Sequence, residues 1–170
     1  MKAFKKICFY LLIPTSCVYA ANPSTTTVSV TIPALVQISG LSDITLSPTN
    51  FGSPITGATT ACIYTNVINP LGSYYVTATS ANTSSGAFRV ANGTNFVPYI
   101  AFWSPTSSPT QTTALTSGVK TAQQSGGSSS SLTCGGTPNA NFNLSLSSTQ
   151  VAGFPAATYT DTVTLVISPS

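Results

Sequence analysis

The C-terminal stretch Tyr159-Thr-Asp-Thr-Val-Thr-Leu-Val-Ile167 places Val163, Leu165 and Ile167 two residues apart, with threonine at positions 162 and 164. Successive side chains of a β-strand point to opposite faces, so this spacing predicts a strand with an apolar face and a mainly polar face. We expect this strand to be the last element of the chain.

A second alternating run lies near the N-terminus, where Val28, Val30 and Ile32 are separated by threonine or serine and Pro33 interrupts the pattern. Residues 24–34 have the length, neutrality and alternation of a strand that is donated to a neighbouring molecule. In such pairing, backbone hydrogen bonds supply affinity and alternate side chains fill pockets. The same pattern fits the first strand of a self-contained domain equally well.

The rest of the chain repeats short apolar runs between turn residues. The densest run is residues 96–103, Phe-Val-Pro-Tyr-Ile-Ala-Phe-Trp, which follows the turn dipeptide Asn92-Gly93. Twelve glycines and twelve prolines punctuate the sequence, and no window shows a sustained period of 3.6 residues. The pattern predicts an antiparallel all-β sandwich or barrel.

The first twenty residues have the order of a secretory signal peptide: lysines, a short apolar run, and the small-residue site Val18-Tyr19-Ala20. We predict export and cleavage after Ala20. An alternative, lipidation at Cys17, is weaker because Pro14 stands where such a site favours leucine. The apolar run is too short to span a membrane.

Cleavage removes three lysines, after which Arg89 and Lys120 balance Asp43 and Asp161. A chain with so few charges has no basic patch for nucleic acid or anionic lipid, so we expect neither partner and no membrane insertion. Near-zero net charge also removes the self-repulsion that keeps soluble proteins apart. This composition favours a subunit of an assembly.

Residues 21–170 have the length of a single domain. Cys62 and Cys134 are the only cysteines of that segment, and in an oxidising compartment we expect them to form a disulfide. Residues 104–131 are rich in Ser, Thr, Gly and Gln, and we interpret them as a polar surface excursion that is partly ordered at best.

The exported segment has no histidine and no glutamate, so it lacks the usual groups for acid–base catalysis and for metal binding. Lys120 lies in the polar excursion, where a solvated lysine is the ordinary state, and Asp43 and Asp161 fit turn or cap roles. We expect no enzyme, no cofactor and no metal.

An alternative function is a self-contained secreted sandwich that binds carbohydrate. Its candidate site is the aromatic set Tyr75, Tyr99 and Trp103. In a sheet protein such rings more often pack in the core or across strands.

Three segments resemble a known family. Residues 157–165, Ala-Thr-Tyr-Thr-Asp-Thr-Val-Thr-Leu, are similar to the Gly-Thr-Tyr-x-Asp-Thr-hydrophobic ending of bacterial chaperone-usher pilus subunits, with Ala157 in place of the usual glycine. Residues 27–34 are similar to the donor segment of these subunits, and Asn50-Phe51-Gly52 to their Phe-Gly corner. The chain resembles especially the group of the spore coat protein U domain and the Csu-type and alpha-type fimbriae.

This resemblance implies an incomplete immunoglobulin-like β-sandwich that a periplasmic chaperone holds and an outer-membrane usher receives. It implies polymerisation by donor-strand exchange, with Val28, Val30 and Ile32 as the inserted side chains. The C-terminal strand motif would consist of Tyr159, Asp161, Val163 and Leu165. The implied function is a structural subunit of a surface fimbria that serves adhesion or biofilm formation.

Overall fold

The structure is a computed structural model that describes residues 24–47, 53–68 and 70–170. The chain divides into two compact units, residues 1–32 and residues 33–170. The expected signal peptide and the corner at residues 50–52 lie outside the described residues. In the described part of the first unit, residues 24–32, no strand is assigned, and Val28, Val30 and Ile32 are 84%, 81% and 78% exposed.

The second unit is nearly all β. Its strands are β1 (Val36–Ser39), β2 (Ile55–Thr65), β3 (Tyr74–Ser80), β4 (Phe88–Asn92), β5 (Asn95–Ser104), β6 (Thr113–Ala114), β7 (Ala140–Leu146) and β8 (Val163–Pro169). A 3₁₀ turn spans Cys134–Gly136, and a short helix, α1, spans Ser148–Ala152.

The strands form two antiparallel sheets. The larger sheet has the order β1-β2-β7-β5-β4, with β6 beside β5, and the smaller sheet pairs β3 with β8. The prediction of an antiparallel all-β sandwich is confirmed at the level of the fold. The Asn92-Gly93 turn is also where the sequence placed it: Asn92 pairs with Asn95, and Gly93 has φ +56°, a conformation that glycine adopts without a steric penalty.

The core lies between the sheets because each inner strand contributes alternate side chains. Tyr74, Val76 and Ala78 of β3 are fully buried, and so are Ala101 and Trp103 of β5. The Trp103 indole N–H donates to the Tyr74 hydroxyl at 3.2 Å, and the two rings meet edge to face. A buried hydrogen bond of this kind satisfies both polar groups inside an apolar core.

The polar excursion at residues 104–131 has defined partners in the structure. β6 pairs with β5, and the backbone of Gly118, Thr121 and Gln124 hydrogen-bonds to β3 along one edge. Further on, Ser128 exchanges backbone hydrogen bonds with Ile63 and Thr65 at the end of β2. The excursion therefore covers the edge of β3 that does not face β8.

A disulfide joins Cys62 on β2 to Cys134 in the 3₁₀ turn, with Cα atoms 5.8 Å apart. The predicted pairing is confirmed.

Candidate functional site

The last strand, β8, is paired along one edge only. Val163 to Pro169 pair in register with Ser80 to Tyr74 of β3. Among the described residues, the opposite edge of β8 makes no backbone hydrogen bond. A bare strand edge presents unpaired N–H and C=O groups and is a template for another strand.

The first strand of the larger sheet has a similar edge. β1 pairs with Cys62 to Thr65 of β2, and within the described part of the chain no strand pairs with its other side. Cα atoms of β1 come within 8 Å of those of β8, yet the two strands share no ladder. We call the region bordered by these two edges the β1–β8 gap.

Apolar side chains beside the β1–β8 gap are only half-buried. Val163, Leu165 and Ile167 pack against the core from β8, but they keep partial exposure, whereas their neighbours on β3 are fully buried. Ile38 of β1 is in the same state. The sandwich therefore leaves an incompletely covered apolar row on this side.

Residues Ile44 and Leu46, which follow β1, also pack against the core and are half-buried. An ideal Cβ on Gly57 would lie 2.5 Å from Ile44 and 2.6 Å from Leu46. Glycine at position 57 thus lets the segment after β1 approach β2 closely.

The C-terminal motif fixes the start of β8. Asp161 accepts hydrogen bonds from the Tyr99 hydroxyl at 2.7 Å and from the backbone N–H of Asn82 at 3.3 Å. Thr160 exchanges backbone hydrogen bonds with Ala91 of β4. Tyr159 donates to the Pro155 carbonyl and packs edge to face on Phe154. Tyr159 and Asp161 therefore act as anchors, whereas Val163 and Leu165 lie beside the gap.

The bond to Asp161 has a consequence at high pH. The pKa of Tyr99 is raised above its ordinary value of 10.0 by burial, by the hydrogen bond to Asp161 and by the carboxylate charge. Above about pH 10 the unfolded chain releases the Tyr99 hydroxyl proton, whereas the folded chain retains it. This group therefore leaves the free energy of unfolding unchanged below about pH 10 and lowers it above that pH. The slope is about 1.4 kcal/mol per pH unit for one such group.

We predict that Tyr99→Phe makes the free energy of unfolding fall less steeply above about pH 10, by the contribution of one tyrosine. The pKa of Tyr74 is also raised, mainly by burial, so the variant should keep a weaker dependence. Urea denaturation at about pH 8 and about pH 11 measures the difference. Identical alkaline slopes in the variant and the parent would contradict the assignment.

The aromatic set proposed for carbohydrate does not form an exposed platform. Trp103 is fully buried and Tyr99 is 6% exposed, whereas Tyr75 is half-buried. The Lys120 ammonium lies 4.3 Å from the centre of the Tyr75 ring. Because two of the three rings pack in the core, these residues offer no shared surface to a sugar.

The charged residues that were considered for catalysis have different environments. Lys120 and Asp43 are exposed, and Asp161 is engaged by Tyr99 and Asn82. In the part of the chain that the structure describes, no group of three or more potential metal ligands is found, and no helix has the length and apolarity to cross a membrane.

Comparison with known proteins gives a structural match. No family model matches the chain, and no curated protein does. Among solved structures, the chain is similar to one from a chaperone–tip adhesin complex described as vital for synergistic activation of CFA/I fimbriae biogenesis, with a TM-score of 0.53 and 18% identity. The two share a fold. The match covers 79% of this chain and 41% of that chain, so it spans about two fifths of the matched chain.

Proposed function

We propose that the chain is a structural subunit of a surface fimbria, assembled by donor-strand exchange and serving adhesion or biofilm formation. Residues 24–34 of one copy enter the β1–β8 gap of the next. The observation that carries this proposal is the bare edge of β8 with its half-exposed row of Val163, Leu165 and Ile167. The role is structural and includes no catalytic step.

The two apolar rows have matching periods. Val28, Val30 and Ile32 are spaced two residues apart and highly exposed, and the row on β8 has the same spacing. Strands rise about 3.3 Å per residue, so both rows repeat every 6–7 Å or so. An inserted strand therefore places an apolar side chain at each step along the gap while its backbone pairs with the free edges.

Insertion requires the two edges to separate. A strand that pairs on both sides needs about 9.6 Å between its neighbours, twice the spacing of about 4.8 Å within a sheet. Cα atoms of β1 and β8 now lie within 8 Å of each other at their nearest pairs. The β1–β8 gap thus has to widen, and the new hydrogen bonds and apolar contacts compensate for that movement.

The disulfide and the shared fold support the same role. The disulfide between Cys62 and Cys134 is of the kind that forms in an oxidising compartment, and the fold is shared with a chain of a chaperone–tip adhesin complex. On this proposal the gap would first be covered by a periplasmic chaperone and then, at an outer-membrane usher, by another subunit. Other pilus subunits, identical or paralogous, are the final partners.

The test compares three forms by size-exclusion chromatography with light scattering: residues 21–170, the same chain lacking residues 21–34, and a form with those residues moved behind Ser170 through a short linker. We expect the first to self-assemble, the second to fail to fold alone and the third to be a stable monomer. In the third form the segment reaches the gap of its own chain.

A matched pair of variants separates side-chain filling from mere length. Replacing Val28, Val30 and Ile32 together with serine should stop assembly of residues 21–170. Replacing the intervening Thr27, Ser29 and Thr31 with alanine should not, because the apolar row is kept. A full-length chain that stays monomeric, and is unchanged by moving the segment, would overturn the proposal.

A further inference from the structure

Asn143, on the central strand β7, has an unusual environment for a polar side chain. It is 3% exposed, and its amide nitrogen donates to the Thr110 carbonyl at 3.1 Å and to the side-chain oxygen of Asn141 at 3.2 Å. Its own side-chain oxygen, Oδ1, is buried with no hydrogen-bond partner among the described residues. Such an atom is costly because it has lost water and gained nothing in return.

The orientation of this amide is determined by its neighbours. The nitrogen donates to the backbone carbonyl of Thr110, which can only accept, so exchanging the oxygen and nitrogen would place that carbonyl against Oδ1. The group that lacks a partner is therefore an acceptor. It needs an O–H or N–H donor.

Asn143 lines a cavity of about 320 Å³ on the face of the larger sheet that points away from the core. The remaining lining residues are Thr56, Gly57, Ala58, Pro109, Gln111 and Leu144. Pro109 and Gln111 are exposed loop residues, so the wall that they form can shift without disturbing the core.

The sheet register extends this site. Thr56 pairs with Ser145, and Ser145 pairs with Ile100, so these three side chains form one row on the outer face. The adjacent row holds Ala58 and Asn143. The surface thus combines hydroxyls and amides with the apolar groups of Ala58, Ile100 and Phe102, the last of which pairs with Asn143. None of the four charged residues outside the N-terminal lysines lines the cavity.

We propose that this cavity is a binding site for a neutral polyhydroxylated ligand, a terminal monosaccharide of a surface glycan. A sugar hydroxyl donates to Asn143 Oδ1, the Gln111 amide and the Thr56 hydroxyl bond further hydroxyls, and Ala58 and Pro109 contact the C–H groups of the ring. A charged ligand has no counter-ion here. This inference does not depend on strand exchange, because the site lies on the opposite face of the sheet from the core.

The test follows side-chain amide signals by NMR in a ¹⁵N-labelled monomeric form, either residues 21–170 or the form with residues 21–34 moved behind Ser170. The protein is titrated with glucose, galactose, mannose and N-acetylglucosamine. We expect saturable shifts of the Asn143 and Gln111 side-chain amides with at least one of these sugars. Gln111→Ala should weaken that binding at least threefold. Gln123→Ala should leave it unchanged, because Gln123 is another exposed glutamine of the same excursion and does not line the cavity.

Asn143→Leu removes the acceptor and should reduce the affinity at least tenfold. Because that change also removes two hydrogen bonds, the exposed Gln111 remains the decisive position if the leucine variant fails to fold. No shift at Asn143 with any of the sugars, or equal binding by the two glutamine variants, overturns the inference. If the chain assembles but binds no sugar, the sugar site is rejected and the proposed fimbrial role is retained. If the chain stays monomeric but binds sugar, the sugar site is retained and the fimbrial role is rejected.

Discussion

Replacing Leu165 with asparagine is expected to lower the association constant between subunits by a factor of about 10² to 10⁴. Leu165 lies in the middle of the apolar row of β8 and keeps partial exposure beside the β1–β8 gap. In the proposed assembly, the donated strand would bury it. The substitution loses roughly 2 kcal/mol of apolar burial and adds about 1–3 kcal/mol for an amide buried without a partner.

Val166 supplies the matched control. It is the next residue on the same strand, is 52% exposed and points to the opposite face. Val166→Asn should leave assembly unchanged and alter the free energy of unfolding by no more than about 0.5 kcal/mol. Sedimentation velocity of both variants against the parent measures the effect. Equal loss of assembly in the two variants would show that the apolar row does not receive the strand.

A second measurement tests the same contact in a form that is expected to be a stable monomer, so the result does not depend on assembly. In the rearranged form, with residues 21–34 behind Ser170, the same leucine contact is made within one molecule. Leu165→Asn should then lower the free energy of unfolding by about 3–5 kcal/mol, read from urea denaturation, with Val166→Asn close to the parent. Similar unfolding curves for the two variants would contradict insertion beside Leu165.

The fold could be predicted where local alternation and core burial agree. The run at residues 96–103 became β5, because its apolar side chains meet those of β2, β3 and β7 in one core. The C-terminal stretch was predicted as a strand from Tyr159, but β8 begins at Val163. Tyr159 and Asp161 instead anchor the chain through hydrogen bonds to Pro155 and Tyr99, which a period of two residues does not reveal.

Other features depend on partners that are distant in sequence. Residues 104–131 have no apolar period, yet Thr121 and Gln124 pair with β3 because that edge is otherwise open. Asn143 has no distinguishing feature in the local sequence, and its environment arises only when Thr110 and Asn141 lie beside it. The alternation of residues 24–32 shows that they suit a sheet, but local sequence does not specify whose sheet.

Removing the disulfide is expected to destabilise the fold by about 4 kcal/mol, because the bridge closes a loop between positions 72 residues apart and restricts the unfolded chain. Cys62 lies on β2 next to the fully buried Ala61 and Ile63, and Cys134 precedes β7, so the bridge ties the start of the central strand to its neighbour. Domains of this size are stable by only about 5–15 kcal/mol. A loss of this magnitude should lower the fraction of chain that is folded.

The variant Cys62→Ala with Cys134→Ala tests this without burying new hydroxyls, since Cys62 is 7% exposed.

Cys134 has φ +52°, a conformation that side chains with a Cβ adopt at a cost. In the variant that combines Cys62→Ala with Cys134→Gly, relief of this strain should therefore raise the free energy of unfolding by about 1 kcal/mol relative to the double alanine variant. The greater backbone entropy that glycine loses on folding offsets part of this gain. Urea denaturation of the three chains measures both steps. If the alanine variant matches the oxidised parent, the loop-closure argument fails. If the glycine variant is no more stable than the alanine variant, the strain at position 134 is not relieved by losing the Cβ.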